Sequence, residues 1–173
     1  MDKQRIDVLD HGFVRLIDVM GTDDSVCQAA RVSYGEGTKT VNTDRNLIRY
    51  LMRHEHTTPF EMCEVKFHIK LPIFVMRQLI RHRTASVNEY SGRYSVMSNE
   101  FYTPKTFEKQ SKTNAQGRSE SLDNIKGKLQ FGFNRIHGEA YKQYEEFLDE
   151  DLARESARGL LPVSNYTEAY WKC

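Results

Sequence analysis

The sequence has few cysteines, almost no net charge and no long apolar run. Its three cysteines, Cys27, Cys63 and Cys173, are odd in number and lack paired spacing, which argues against a disulfide framework and a cysteine-rich zinc site. The 25 basic and 24 acidic residues leave a formal net charge of +1, unlike a strongly basic nucleic-acid coat or an acidic tail. No apolar stretch approaches the about 18 residues of a membrane span, and no signal-peptide pattern opens the chain. A cytoplasmic location is therefore expected.

The residues that are present suit a globular domain of mixed structure. Hydrophobic residues make up 39% and aromatic residues 11% of 173 positions, enough for one core in a single domain, 1–173. Alternation of Val65, Phe67 and Ile69 with polar residues predicts a strand, and short strands are expected at 6–10 and 14–19. Because strands and helices mix without regular βαβ order, an α+β fold is predicted.

Apolar spacing predicts the helices of this fold. Helices are expected from residue 23, from residue 44 and after Pro72, where a proline suits the first turn. A long amphipathic helix is predicted over 122–147, and a short one from Asp151 to Leu161, ended by Pro162. Residues 105–120 lack a hydrophobic period and are expected to form a polar surface connector.

The chemistry is concentrated between Arg77 and Arg93. This segment holds four arginines, one histidine, no lysine and a single acid, Glu89. Arginine favours planar, bidentate recognition of phosphate or carboxylate. A solvated helix end, stabilised by the helix dipole, is the alternative interpretation. The dense donors and acceptors that follow, Ser86, Asn88 and Ser91 among them, favour a site for a ligand with both a phosphate and a hydrogen-bonding ring.

The run from Arg81 to Ser91, RHRTASVNEYS, matches the signature of flavin-dependent thymidylate synthases. Other segments resemble that family in the expected order, namely 30–33, 56–61, 72–78, 91–95 and 157–162. The resemblance covers the chain from Ile6 onward. It implies an α+β fold with a central antiparallel or mixed sheet flanked by helices.

The resemblance also implies a reaction. The family methylates dUMP to dTMP, with methylenetetrahydrofolate as carbon donor, reduced FAD as hydride source and NADPH as reductant of the flavin. It implies a homotetramer that shares flavin sites between subunits, with no nucleic-acid or membrane partner. A nucleic-acid-binding module built on the arginine-rich helix is the competing hypothesis, and the near-zero net charge argues against it.

The same resemblance implies the site residues. Those expected to bind the cofactor are Ser33, His56, Thr58, Arg81, His82, Arg83, Asn88 and Glu89. Those expected to bind the nucleotide are Gln78, Glu89, Ser91, Gly92, Arg93 and Arg158. Catalytic roles are expected for Arg158, Ser91 and Glu89.

Individual roles follow from chemistry. Arg158 suits a negative charge that develops on the uracil ring. Ser91 is a candidate nucleophile, but it would need a base, and only Glu89 or His82 is available, so binding is favoured over covalent attack. No metal is expected, because His54 and His56 lie two residues apart without further ligands to complete a shell.

The family continues beyond the position of Cys173. Its further part contains helices that contribute flavin and nucleotide contacts. The sequence is therefore expected to represent a family member without those C-terminal helices, which a second chain would supply. An inactive member that acts as a subunit of a larger assembly is the alternative.

Overall fold

A five-stranded antiparallel sheet organises the protein. The computed structural model describes residues 5–33 and 44–173. The sheet strands are β1 (Arg5–Val8), β2 (Gly12–Met20), β3 (Glu64–Pro72), β4 (Ser86–Glu89) and β7 (Tyr166–Lys172), in the order β1-β2-β3-β7-β4. All neighbouring strands run antiparallel. With the helices around this sheet, the predicted α+β class is confirmed.

Strand β3, which the alternation of Val65, Phe67 and Ile69 predicts, lies at the centre of the sheet. Its apolar residues share one face with those of β7, where Ile69 pairs with Ala169 and Phe67 with Trp171. Helix α3 (Ile73–Leu79) follows Pro72 directly and packs Met76 onto this face. Because Pro72 has no backbone N–H to lose, it suits the junction between strand and helix.

Two of the sheet strands were not expected from the sequence. Residues 86–89 lie inside the polar signature segment, and the region around Trp171 suggests only the opening of an element. The structure pairs β4 with β7, so that Val87 lies opposite Trp171 and Glu89 opposite Ala169. This long-range pairing, not a local pattern, makes both segments strands.

The expected polar connector contains a second, two-stranded sheet. Strands β5 (Glu108–Gln110) and β6 (Arg118–Ser121) form an antiparallel hairpin. An ion pair joins Lys109 to Glu120 at 2.7 Å, and the Gln110 side chain donates to the Gly117 carbonyl at 3.0 Å. Polar contacts hold this hairpin, which is why hydrophobic periodicity does not reveal it.

The helices follow the prediction more closely. Helices α1 (Asp23–Val32) and α2 (Asp44–Arg53) start where expected. Helix α4 (Lys126–Asp149) follows a 3-10 turn at Asp123–Ile125, so the regular helix begins later than the predicted 122. Within the described ranges, no helix is both long and apolar enough to cross a bilayer.

The predicted last helix is shorter than expected and starts later. It divides into α5 (Arg154–Ala157) and a 3-10 turn, Arg158–Leu160. Asp151 does not cap it. That residue has a φ of 61°, and the next N–H, of Leu152, donates to the Phe147 carbonyl at 2.9 Å. Asp151 therefore belongs to the C-terminal turn of α4, because a left-handed residue closes a helix.

Candidate active site

A cleft of about 260 Å³ lies where α3, the segment after β4, β7 and the 158–160 turn meet. Apolar side chains form much of its wall: Ile73, Met76, Ile80, Met97 and Leu161. Three charged side chains also line it, namely Arg77, Glu89 and Arg158. An apolar wall with a few convergent charges is typical of a site for a small polar ligand with a ring.

The charges in the cleft do not neutralise one another by contact. Between the described residues, no ion pair joins Glu89 to Arg77 or to Arg158. Two guanidinium groups and one carboxylate leave the cleft with an excess of positive charge. The cleft is therefore suited to an anionic ligand.

Glu89 is held by a residue that the sequence did not reveal. The hydroxyl of Thr167 donates to Glu89 Oε1 at 2.9 Å, and Thr167 is only 3% exposed. Both residues line the cleft. The two are far apart in the chain, so no local motif could have indicated Thr167.

Gly92 and Arg158 are in close contact. A Cβ added at Gly92 would lie 2.9 Å from Met97 Sδ and 3.2 Å from Arg158 Cδ. Only glycine leaves space for the aliphatic part of Arg158 at this point. Two predicted site residues that are distant in sequence are thus brought together.

Helix α4 supports the cleft wall from behind. Tyr141 donates its hydroxyl hydrogen to the Met97 carbonyl at 3.0 Å, and the Met97 N–H donates to the Tyr144 hydroxyl at 3.1 Å. Both tyrosines are buried, and burial raises the pKa of Tyr141. These two bonds fix the backbone of a cleft residue.

The opposite face of β7 is tied down by charged side chains. Lys70 contacts Glu100 at 2.5 Å and Glu168 at 3.7 Å, and His68 contacts Glu168 at 2.8 Å. Burial by itself would raise the pKa of Glu100, but its bond from Lys70 brings that pKa below the ordinary value. Alternate residues of a strand point to opposite faces. Glu168 therefore makes these contacts on one face of β7, while its neighbour Thr167 faces the cleft on the other.

Tyr166 anchors the same strand to the first hairpin. Its hydroxyl donates to Asp10. Burial is the main cause that raises the pKa of Tyr166, and this hydrogen bond to the Asp10 carboxylate raises it further. Burial alone would raise the pKa of Asp10, but hydrogen bonds from Tyr166 and the Thr103 backbone lower it.

Ser91 and Arg93 lie beside the cleft rather than in its lining. Arg93 Nε contacts Glu155 of α5 at 3.3 Å, and the Arg93 N–H donates to Ser91 Oγ at 3.3 Å. Within the described chain, no hydrogen bond from Ser91 to His82 or Glu89 is present. The arrangement thus provides no base in contact with the Ser91 hydroxyl.

The remaining predicted residues lie outside the cleft. Arg81, His82 and Arg83 form an exposed turn after α3, and Gln78 and Asn88 are also exposed. In the described ranges, neither Arg81 nor Arg83 has a carboxylate partner. Within one chain, Arg81 and Arg83 therefore do not reach the wall of the cleft.

His56, another predicted cofactor residue, lies away from both the cleft and the exposed turn. His56 stacks near Tyr50, with ring centroids 6.1 Å apart, and lines a separate depression of about 360 Å³ with Leu51 and Phe60. Thr58 and Ser33 are exposed. Over residues 5–33 and 44–173, no group of three or more His, Cys, Asp or Glu is arranged to hold a metal.

Comparison with known proteins decides the family. The profile of the family described as "Thymidylate synthase complementing protein" matches residues 15–173. The chain is 57% identical over 168 residues to a protein of Wolbachia pipientis wMel named flavin-dependent thymidylate synthase. The chain belongs to the flavin-dependent thymidylate synthase family. A family member from Thermus thermophilus is 56% identical over 167 residues.

Solved structures agree with this assignment. A UMP/dUMP methylase, PolB from Streptomyces cacaoi, was solved with 5-Br UMP and with 5-Br dUMP. The first of these structures is 36% identical and matches 97% of this chain with a TM-score of 0.84, covering 74% of the PolB chain. The second has a TM-score of 0.85 at 37% identity and covers 75% of that chain.

The matched relatives are longer than this chain. The match covers 95% of this chain but 59% of the Wolbachia family member. For the Thermus member the values are 96% and 61%. The chain therefore spans less than two thirds of the length of these curated relatives.

Proposed function

We propose that the protein works in the flavin-dependent methylation of dUMP to dTMP, with methylenetetrahydrofolate as carbon donor and NADPH as reductant. The observation that carries this proposal is the cleft in which Arg77, Arg158 and Glu89 meet an apolar wall. A pyrimidine nucleotide combines an anionic phosphate, a polar ring and apolar ring faces. That chemistry matches the cleft, and the Wolbachia relative is named a flavin-dependent thymidylate synthase.

The nucleotide site that we propose consists of Gln78, Glu89, Ser91, Gly92, Arg93 and Arg158. Arg93, the Ser91 hydroxyl and the Gly92 N–H suit a phosphate monoester. Arg158, whose stem packs on Gly92, would stabilise negative charge that develops on the uracil ring. Ser91 is assigned to binding, because no base contacts its hydroxyl in the described chain.

The proposed flavin site uses Ser33, His56, Thr58, Arg81, His82, Arg83, Asn88 and Glu89. Exposed guanidinium groups without carboxylate partners in the described ranges suit the phosphates of FAD. Reduced FAD, when bound, supplies the hydride of the reaction. Since these residues lie in separate places on one chain, we propose that copies of the chain combine them in a homotetramer.

The cysteines support a proposal about the cellular location of the protein. Cys27, Cys63 and Cys173 are free thiols, which is typical of proteins in a reducing compartment. We therefore place the protein in the cytoplasm, where nucleotide precursors are made. The partners that we propose are small molecules and further copies of the chain.

The test is dUMP binding by the purified chain, followed by tritium release from 5-tritiated dUMP with FAD, NADPH and methylenetetrahydrofolate. We expect dUMP binding and at least a tenfold loss of affinity in Arg158→Gln, since the cleft loses one of its two guanidinium groups. Arg154→Gln, one turn earlier on α5, is the control and should bind normally.

Other outcomes distinguish the alternatives. A folded, colourless protein that binds no dUMP contradicts the proposed function. A chain that binds dUMP, lacks tritium release, and gains it on mixing with a longer family member acts as a subunit of a larger assembly.

A further inference from the structure

Thr167 occupies a special place relative to Glu89. Glu89 is the last residue of β4 and pairs with Ala169. The next residue, Tyr90, still donates its N–H to the Glu168 carbonyl at 2.8 Å, and the chain then leaves the sheet. Thr167 is the diagonal neighbour of Glu89 across the strands, at a distance that side chains can bridge.

The hydrogen bond between them has a defined direction. An ionised carboxylate can only accept, so the Thr167 hydroxyl is the donor. Thr167 is β-branched and buried in a strand, so its side chain has little rotational freedom. Glu89 is exposed at the end of its strand and has a flexible side chain. The rigid partner therefore orients the flexible one.

One oxygen of Glu89 stays available for a ligand. Oε1 accepts from Thr167 at 2.9 Å. Within the described part of the chain, no other side-chain hydrogen bond or ion pair reaches this carboxylate. Because Glu89 also lines the cleft, its second oxygen can accept a hydrogen bond from a bound molecule.

We propose that Thr167 is a positioning residue for nucleotide binding, acting through Glu89. It holds the carboxylate so that Oε2 accepts from a donor of the nucleotide, either the imide N–H of the ring or the sugar 3′-hydroxyl. This inference rests on the proposed function, because it takes dUMP as the ligand of the cleft. Thr167 itself donates to Glu89 and needs no contact with the nucleotide.

The test is a double-mutant cycle on dUMP affinity, measured by calorimetry with the full chain. Thr167→Val keeps the shape and removes the donor, and it should weaken dUMP binding about tenfold, as for loss of a hydrogen bond to a charged group. Thr167→Ser keeps a hydroxyl and should restore most of the affinity. In a Glu89→Ala background, Thr167→Val should change the affinity less than twofold, because coupled residues are not additive.

Thr103→Val is the matched control. Thr103 also donates a side-chain hydrogen bond, to Asn134 at 3.2 Å, but it does not line the cleft. The Thr103→Val variant should bind dUMP with wild-type affinity. Urea unfolding checks that each variant is folded, and Thr167→Ala replaces Thr167→Val in the cycle if the latter is not.

Analogues identify the donor. N3-methyl dUMP lacks the imide N–H, and 2′,3′-dideoxy-UMP lacks the 3′-hydroxyl. The analogue without the donor that meets Glu89 should bind to wild type and Thr167→Val equally. If Thr167→Val weakens both analogues as much as dUMP, the assigned role of Oε2 is wrong.

The results separate this inference from the proposed function. Wild-type affinity in Thr167→Val, or additive losses in the cycle, would overturn the positioning role while dUMP binding stands. Failure of the wild-type chain to bind dUMP would overturn the proposed function first, and the positioning role with it.

Discussion

Gly92 shows how a single missing side chain shapes the cleft. The Cα of Gly92 lies where the Arg158 stem and the Met97 sulfur converge. Both of those residues line the same cleft. The position is restricted by close approach of side chains rather than by an unusual backbone angle, because its φ is not in the left-handed region.

Substitution of Gly92 by alanine should therefore disturb the cleft. The added Cβ must displace Met97 or Arg158, and such overpacking costs ~1–3 kcal/mol. We expect Gly92→Ala to bind dUMP about tenfold more weakly by calorimetry. Gly159→Ala is the neighbouring control, since a Cβ there meets nothing within 4 Å. Equal affinity in both variants would contradict the assigned contact.

At the scale of elements, α4 is the support on which the cleft and β7 depend. Its Tyr141 and Tyr144 hold Met97. On the same helix, His137 stacks on Phe101 with centroids 4.8 Å apart and contacts the Ser164 hydroxyl at 2.9 Å. Ser164 lies just before β7, so α4 also fixes the approach to that strand.

His137 makes the stability of this element depend on pH. Burial lowers the pKa of His137 below its ordinary 6.5, and the charge of Asp10 opposes this only in part. As the pH falls, His137 therefore takes up a proton more readily in the unfolded chain than in the folded one. The free energy of unfolding is therefore unaffected by this group above about pH 6.5 and decreases as the pH drops below that value.

Unfolding in urea between about pH 7 and pH 5 measures this effect. The free energy of unfolding should fall less steeply with acid in His137→Gln than in the wild type. Ser164→Ala is the control: it loses the hydrogen bond but keeps the imidazole, so its pH slope should match the wild type. An unchanged slope in His137→Gln would show that the buried histidine is not the cause.

Helix α4 also contains a glycine that no neighbour requires. A Cβ at Gly132, in the middle of the helix, would meet nothing within 4 Å. Alanine there should stabilise the protein by ~0.5–1 kcal/mol, because glycine is a poor helix former. Urea unfolding of Gly132→Ala measures this gain, and a loss of stability instead would indicate that this face of α4 packs against another chain.

At the scale of the whole molecule, large apolar side chains remain on the surface. Phe131 on α4 is 69% exposed, and Ile6 on β1 is 56% exposed. Ile6 pairs with Val14 of β2, itself 36% exposed, so the edge strand β1 and its neighbour β2 both present apolar side chains to solvent. Extended exposed apolar surface is typical of proteins that associate.

We expect the purified chain to form a homotetramer, measured by light scattering with and without FAD. Phe131→Glu should shift it toward smaller species, since a charge in an apolar contact is costly to bury. Lys142→Gln, a polar change at an exposed position of the same helix, should leave the assembly intact. A monomer under all conditions would contradict the shared flavin site.

Much of the fold was predictable because its signals are local. The alternation in β3, the apolar spacing of α4 and Pro72 before α3 each depend on neighbours within a few residues. The hairpin β5–β6 was not predictable, because polar contacts and pairing hold it rather than a buried face. The role of Asp151, which closes α4 two residues after its last helical residue, was also missed, because its left-handed backbone angle appears only in the structure.

The sequence by itself determined the fold class, strand β3, the main helices and the family resemblance carried by the Arg81–Ser91 run. Tertiary structure alone decided that β7 pairs with β4, that Thr167 holds Glu89, and that Arg158 packs on Gly92. The physical reason is sequence separation. Periodicity records which face of an element is buried, whereas contacts between distant segments depend on how the whole chain packs.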